Sequence, residues 1–390
     1  MEKRIAFAAT FIISVIFSLA RPLAAAGGLN ITAVFAFGDS TLDAGNNNHL
    51  HTLVRADHVP YGRDLPTHRP SGSLYLSDTA TGVSFASGAS GLDDLTARLA
   101  QVMTMKQELR DFKEYSKRLR QAMGKQKADE IIRNALFVIG IGSNDWIMSC
   151  SSFPIRRHKY SKAADSRILI GQLRSFVEVF RLSHVTYSIH VHAIIILLGI
   201  GWASTQELYS EGGRRFAISD LAPLGCLPMQ ITQAAMVPIY HTPQRRCVPG
   251  QNRDAVAYNS LLRASISNIS SSLLQARFLY VDAYNSLMHM INNPKQYGFE
   301  VTALGCCGTR PVEMGPLCNK LTTVCSSPST FMFRDALHPS ETTYRHLAER
   351  LRKDALPSLR RRRSHGNLGH FRAKYMLIVA VSSLQGLFIM

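Results

Sequence analysis

Aromatic residues interleaved with basic ones, the usual make-up of a nucleic-acid face, are missing from this sequence, in which aromatics are 8% of the residues. Much of its formal net charge of +17 is local instead, with Arg360 to Arg363, Arg372 and Lys374 all in the tail. A nucleic-acid partner is therefore not expected. Long uninterrupted apolar runs are missing too. The nearest are Ile5 to Leu19 and the stretch Ile189 to Trp202. Both are short for a membrane span, and the second carries His190 and His192, so no stable span is expected. Around His184, His190 and His192 there is no set of carboxylates or thiolates, which argues against a metal site there. No metal or other cofactor is expected.

What is present sets the scale. The chain has 390 residues, 46% of them hydrophobic, enough to bury a sizeable core in one large domain or two and to exclude disorder throughout. Residues 1–26 read as a secretory signal: Lys3 and Arg4, an apolar stretch, then Ala24-Ala25-Ala26 as a small-residue cleavage site. Seven cysteines fit an oxidising compartment, six of them between Cys226 and Cys325, with Cys150 the odd one out. Asn30-Ile-Thr and Asn268-Ile-Ser are sequons that a secreted chain would offer for glycosylation.

Along the chain, apolar runs of strand composition alternate with helical patterns. Strands are expected at Ala33 to Phe37, Gly82 to Ser87, Asn134 to Ile141, Phe216 to Leu221 and Arg277 to Tyr284. Helices are expected from Leu99 to Met123, from about Ser166 towards Arg215, from Asp254 to Leu274 and from Thr342 to Arg352. Alternation of this kind implies a parallel sheet covered on both faces.

Three of the strands end in polar turns: Gly38-Asp39-Ser40, Gly88-Ala89-Ser90-Gly91 and Gly142-Ser143-Asn144-Asp145. Open α/β sheets keep their chemistry at the carboxyl ends of their strands. A serine at such a place becomes a nucleophile only if a base takes its proton. FRDALHPSE supplies one, with Asp335 and His338 three apart and Ser340 set to cap the following helix. That spacing lets the carboxylate orient the ring while the other ring nitrogen faces the serine.

In order, FGDSTLDAGNNN, PYG (Pro60 to Gly62), VSFASGASG, IGSND (Ile141 to Asp145), LAPLGCLP, NPKQYGFE, GCCG and DALHPS resemble the blocks of the plant-type GDSL esterase/lipase family, a branch of the SGNH hydrolases. The resemblance runs from about Ala33 to Arg352. It implies a flavodoxin-like three-layer α/β/α sandwich on a mainly parallel five-stranded sheet, occupying residues 27–356, with 357–390 as a basic then apolar tail expected to be disordered. It implies a secreted, extracellular serine esterase or lipase that forms an acyl-enzyme on Ser40, with an acyl lipid or acetylated polysaccharide as the ester substrate. His338 would be the general base and acid, and Asp335 its orienting partner. Ser40, the Gly88-Ala89 turn and the Asn144 amide would make the oxyanion hole, and no metal is required. The alternative reading is a catalytically weak or inactive relative, kept as a binding protein or produced from an imperfect transcript. Disulfides are expected between Cys226 and Cys247 and between the Cys306-Cys307 pair and Cys318 with Cys325, the exact pairing left open.

The chain also departs from its relatives. They usually have Gly-Gly at Gly88-Ala89, Asn at Ser84 and Trp at Arg334. An alanine at position 89 is expected to keep a negative φ, so which of Gly88 and Ala89 serves the hole stays open. After Pro70 to Gly72 a covering helix is missing, which would uncover apolar sheet near the nucleophile. Residues 179–206 read as a foreign insertion, because joining Glu178 to Glu207 puts Leu169, Leu173, Phe176, Val177, Leu208 and Tyr209 in one helical period.

Overall fold

The computed structural model describes residues 31–62, 82–152, 158–177, 208–236, 245–273, 275–308, 318–355 and 359, with backbone alone at 149–152, 354 and 355. The expected leader, Asn30, the stretch 63–81, the insertion 179–206 with its histidines, the tail apart from the buried Leu359, and the side chain of Cys150 lie outside the described residues.

Five parallel strands form the sheet: β1 (Val34–Gly38), β2 (Gly82–Ser84), β3 (Leu136–Gly140), β4 (Arg215–Ser219) and β5 (Arg277–Val281), in spatial order β2-β1-β3-β4-β5. All five residues of β1 are buried, as a continuous apolar run in a parallel sheet requires. The connections are the helices α1 (Asp94–Ala100), α2 (Met105–Met123), α3 (Lys125–Asn134), α4 (Lys162–Val177), α5 (Pro228–Ala235), α6 (Pro249–Ser272), α7 (Ala283–Asn292) and α8 (Glu341–Arg350). Beyond the sheet, β6 (Val301–Gly305) pairs with β9 (Phe331–Phe333), and β7 (Cys307–Gly308) pairs with β8 (Thr323–Val324). This is the α/β arrangement the alternation implied. In it the strand order reverses between β1 and β3, and at such a switch point the ends of neighbouring strands open a crevice.

Because side chains alternate along a strand, each strand divides its residues between two layers. One layer takes Phe35, Phe37, Phe137, Ile139, Phe216 and Ile218, all essentially inaccessible. Against them pack Phe112 and Leu119 of α2, Ile132 of α3, Leu169, Leu173 and Phe176 of α4, and Leu262 and Ile266 of α6. Phe37 lies 5.2 Å from Phe85 in a stack and 5.6 Å from Phe112 edge-on. The other layer takes Val34, Ala36, Val138, Ala217, Leu279 and Val281. Ile31, Leu42, Ala44, Ala86, Leu351 and Leu359 are among the apolar side chains buried or packed against it.

Several boundaries differ from the sequence reading. The single helix expected over Leu99 to Met123 is two. Ala100 ends α1, Gln101 turns with φ 55°, and Thr104 starts α2 by exchanging side-chain and backbone hydrogen bonds with Gln107, a reciprocal cap that defines a new start. The fifth strand stops at Val281 because the Asp282 carboxylate accepts the Asn285 N–H and caps α7. In α4, Leu169, Leu173, Phe176 and Val177 face the core, and Leu208 is fully buried beyond the gap. The Leu208 N–H donates to the Phe176 carbonyl at 3.4 Å.

Candidate active site

The Ser40 turn begins where two backbones meet. Gly38 has φ 132°, and a Cβ there would stand 1.9 Å from the Gly140 carbonyl oxygen. Only glycine fits. The Gly38 N–H donates to Glu108 Oε2 at 2.8 Å, and the Asp39 N–H to the Gly140 carbonyl at 3.0 Å. Asp39 Oδ1 accepts the Thr41 N–H and hydroxyl at 3.0 and 2.7 Å. Ser40 is thus held at the rim, half-buried, directly after the buried Asp39.

From the far end of the chain β9 delivers Asp335, and Ser340 caps α8 by accepting the Thr343 N–H. Asp335 Oδ1 accepts the N–H groups of Leu337 and His338, each at 2.8 Å, and both carboxylate oxygens lie within 3.0 Å of His338 Nδ1. His338 Nε2 is 2.7 Å from Ser40 Oγ. The three residues singled out by spacing are in one hydrogen-bonded line. Burial works against a charged carboxylate at Asp335, yet His338, Arg334 and the Leu337 N–H hold it well below the usual carboxylate range. Burial likewise works against a charged His338 ring, but the Asp335 carboxylate outweighs it and the net direction is upward from 6.5.

The second turn is tied to the first, and the third to the segment after the second, by carboxylates the sequence reading did not single out. Asp43 Oδ2 accepts the Gly88 N–H at 2.8 Å, while its other oxygen accepts those of Gly45 and Asn46. Asn47 Nδ2 donates to the Gly88 carbonyl, and Asn46 Nδ2 to those of Ser84 and Ala86. The buried Asp145 accepts from Leu92 N, Asp93 N and the Thr96 hydroxyl, and burial pushes its carboxyl up to about 7. Ala89 has φ 63°, which corrects the expectation that an alanine would keep a negative φ. The Asn144 amide donates one hydrogen to the Ser90 carbonyl at 2.9 Å, leaving the other for the crevice. Glu108 had one signal in the sequence: it shares the apolar period of Met105, Leu109 and Phe112 on α2. It is wholly buried, and burial raises its pKa well above the ordinary value.

A model of the family "GDSL-like Lipase/Acylhydrolase" matches residues 34–351. Two GDSL esterase/lipases of Arabidopsis thaliana are similar over most of their length. One is 36% identical over 349 residues, covering 82% of this chain and 88% of the relative. The other is 34% identical over 345 residues, covering 81% and 87%. The chain belongs to the GDSL-like lipase/acylhydrolase family. Its fold and the order of its motifs are those of these carboxylic ester hydrolases.

In this GDSL chain two disulfides lie beside the segment that leads to Asp335 and His338. Cys306 is bonded to Cys325 and Cys307 to Cys318, which resolves the pairing left open, and Cys226 is bonded to Cys247 as expected. The Cys306 and Cys307 N–H groups donate to the carbonyls of Phe333 and Arg334, immediately before Asp335. Two hollows flank Ser40. The smaller, about 50 Å³, is lined on one side by Arg55, Tyr61 and Arg334, with the Arg334 guanidinium 4.3 Å over the Tyr61 ring. The larger, about 330 Å³, reaches from Ser40, Asn144 and His338 across the sheet to α7 and α8. Among the described residues no helix is long and apolar enough to cross a membrane.

Proposed function

We propose that this protein hydrolyses carboxyl esters through an acyl-enzyme on Ser40. The observation that carries the reading is the line from Asp335 through His338 to Ser40 Oγ, 2.9 and 2.7 Å per step. With Nδ1–H donated to Asp335, the neutral ring accepts the Ser40 proton at Nε2 as Oγ bonds to the ester carbonyl carbon. The carbonyl π electrons move to its oxygen. Collapse of this adduct expels the alcohol oxygen, which takes the proton from Nε2. Water, deprotonated by the same nitrogen, then cleaves the acyl-serine bond and restores Ser40.

Donors for the oxyanion are the Ser40 N–H, the Ala89 N–H and the free hydrogen of the Asn144 amide. Gly88 is not among them, since its N–H is given to Asp43. Such pre-set donors contribute about 3 to 4 kcal/mol each to the transition state. The left-handed backbone of Ala89 supports its place in the set, because the strain serves to aim an N–H that a relaxed alanine would direct elsewhere.

Secretion is part of the proposal, resting on the 1–26 signal pattern and on three disulfides in one chain. So is the domain plan: a hydrolase domain over 27–356, a tail over 357–390, and an insertion at 179–206. In an uninterrupted helix with Glu207 following Glu178, the Leu208 N–H would bond to the Phe176 carbonyl, which is the bond observed. A fluorophosphonate probe should label the folded protein at Ser40, and Ser40→Ala should abolish both the label and nitrophenyl acetate hydrolysis. A folded protein that takes no label and hydrolyses no ester would overturn the reading.

A further inference from the structure

The larger hollow beside Ser40 has a definite chemistry. From the sheet it is lined by Val138, Gly140, Ser219, Tyr280 and Val281; all but Tyr280 are the residues at alternate positions of β3, β4 and β5 that face away from the phenylalanine layer. These alternate residues are small or β-branched, and they leave space between the sheet and α8. Ile147, Leu224, Leu227, Leu287 and Leu347 close the other sides. Of the two buried carboxylates in the wall, Asp39 already accepts from Thr41, and Asp220 is held by three donors of the protein itself. The Asp220 carboxylate accepts the Tyr280 hydroxyl at 2.7 Å and the N–H groups of Ala283 and Tyr284 at 2.8 and 3.1 Å.

Size decides which half of an ester belongs where. At about 330 Å³ the apolar hollow falls within the range of small-molecule sites, whereas the cleft on the Arg334 side holds about 50 Å³. The depth follows from α8. Tyr344 lines both hollows beside the catalytic pair, and Leu351 lines the far end of the larger one. Seven residues of helix put these about 10 Å apart along the axis.

We propose that the acyl chain of the ester lies in this hollow, directly on the small-residue face of the sheet, and makes the enzyme selective for unbranched aliphatic acyl groups of intermediate length. This rests on the ester-hydrolase reading and adds to it the class of acid. The chain enters with its carbonyl between Ser40 and Asn144 and ends against Ala348 and Leu351. The alcohol part departs on the Arg334 side, where the space admits only a small group before it reaches solvent.

The test uses the full chain and the nitrophenyl esters of acetic, octanoic and palmitic acids. Each methylene buried should raise kcat/KM about three- to four-fold until the hollow is full, so octanoate should lead acetate by more than an order of magnitude and palmitate should fall behind octanoate. Ala348→Phe at the far end and Ala222→Phe at the strand end should each cut the octanoate rate about ten-fold while sparing acetate. Two variants on separate elements keep the test informative if one misfolds. A profile flat in chain length, or an octanoate to acetate ratio unchanged in both folded variants, overturns the proposal. If removal of 360–390 is what first creates the octanoate preference, the apolar end of the chain occupies the hollow and the proposal is also overturned. Failure of acetate hydrolysis and of fluorophosphonate labelling together would instead sink the ester-hydrolase reading on which it stands.

Discussion

One layer of the sheet is filled and the other is hollow, although both are written in the same strands. Phe35, Phe37, Phe137 and Phe216 meet four helices on one side. Val138, Gly140, Ser219 and Val281 leave room on the other. Alternation at a period of two allows a single segment such as LFVIG of β3 to serve a packed core and an open hollow at once. The filled layer fixes where the strands end, and so where Ser40 and Asn144 stand. The hollow layer then gives those fixed groups something to act upon.

The comparison can be broken most severely at Gly38. Gly38→Ala puts a Cβ 1.9 Å from the Gly140 carbonyl at a φ of 132°, and the strands must part to admit it. Stability should fall by about 4 kcal/mol or more, read as loss of the cooperative transition in urea. A protein that unfolds with an unchanged midpoint would show that the turn does not depend on this close approach.

A paired substitution sharpens the contrast between the layers. Phe37→Ala should cost about 3 to 5 kcal/mol, as removal of a fully packed aromatic does. Val138→Ala, on the hollow side, should cost about 1 kcal/mol, because its neighbours include empty space. Equal losses in chemical denaturation would mean the two layers are packed alike.

At the strand ends stands the line from Asp335 through His338 to Ser40, whose pH dependence has a fixed sign. In the proposed mechanism the neutral His338 ring is the active form, and its pKa is raised, so ester hydrolysis should climb with pH through a midpoint above about 6.5. Stability runs the other way. The raised His338 pKa contributes stability that is fully present below the unfolded histidine value and lost as pH rises through the folded one. The depressed Asp335 pKa contributes stability that is present above the unfolded value and lost as pH falls through the folded one. A rate that stays flat from acidic to mildly alkaline pH would remove His338 from the mechanism.

The smallest effect is expected at Ala89. Ala89→Gly relieves a left-handed alanine but adds backbone freedom to the unfolded chain, so stability should rise by at most about 1 kcal/mol, with nitrophenyl acetate hydrolysis kept. A marked loss of activity with unchanged melting would mean that the alanine side chain itself contributes to the site.

Much of this was legible in the chain. Ser40, Asn144, Asp335 and His338 stand at strand ends or helix starts, where local chemistry marks them: a glycine turn, a serine cap, a proline. The contacts made by Asp43 and Glu108 were not legible in the same way. Their partners, Gly88 and Gly38, are distant in sequence, and neither a helix period nor a turn motif says whose N–H a buried carboxylate will take. That the Gly88 N–H is given to Asp43 is why Ala89 rather than Gly88 is proposed for the oxyanion hole. The break between α1 and α2 was missed for a related reason. Leu99 continues the helical spacing on paper, but the Thr104 and Gln107 exchange starts a new helix at a residue the apolar pattern ignores.

The bond from Leu208 to Phe176 has a practical meaning. It places Leu208 one hydrogen bond from the end of α4, so the chain between them leaves and returns at closely spaced points. Closing a loop across such a point depends only weakly on its length, each doubling costing about 0.6 kcal/mol. The position is therefore a natural port for grafting: joining Glu178 to Glu207 should yield a shorter enzyme that melts no earlier, and a reporter domain with adjacent termini should be accepted there while Ser40 is still labelled.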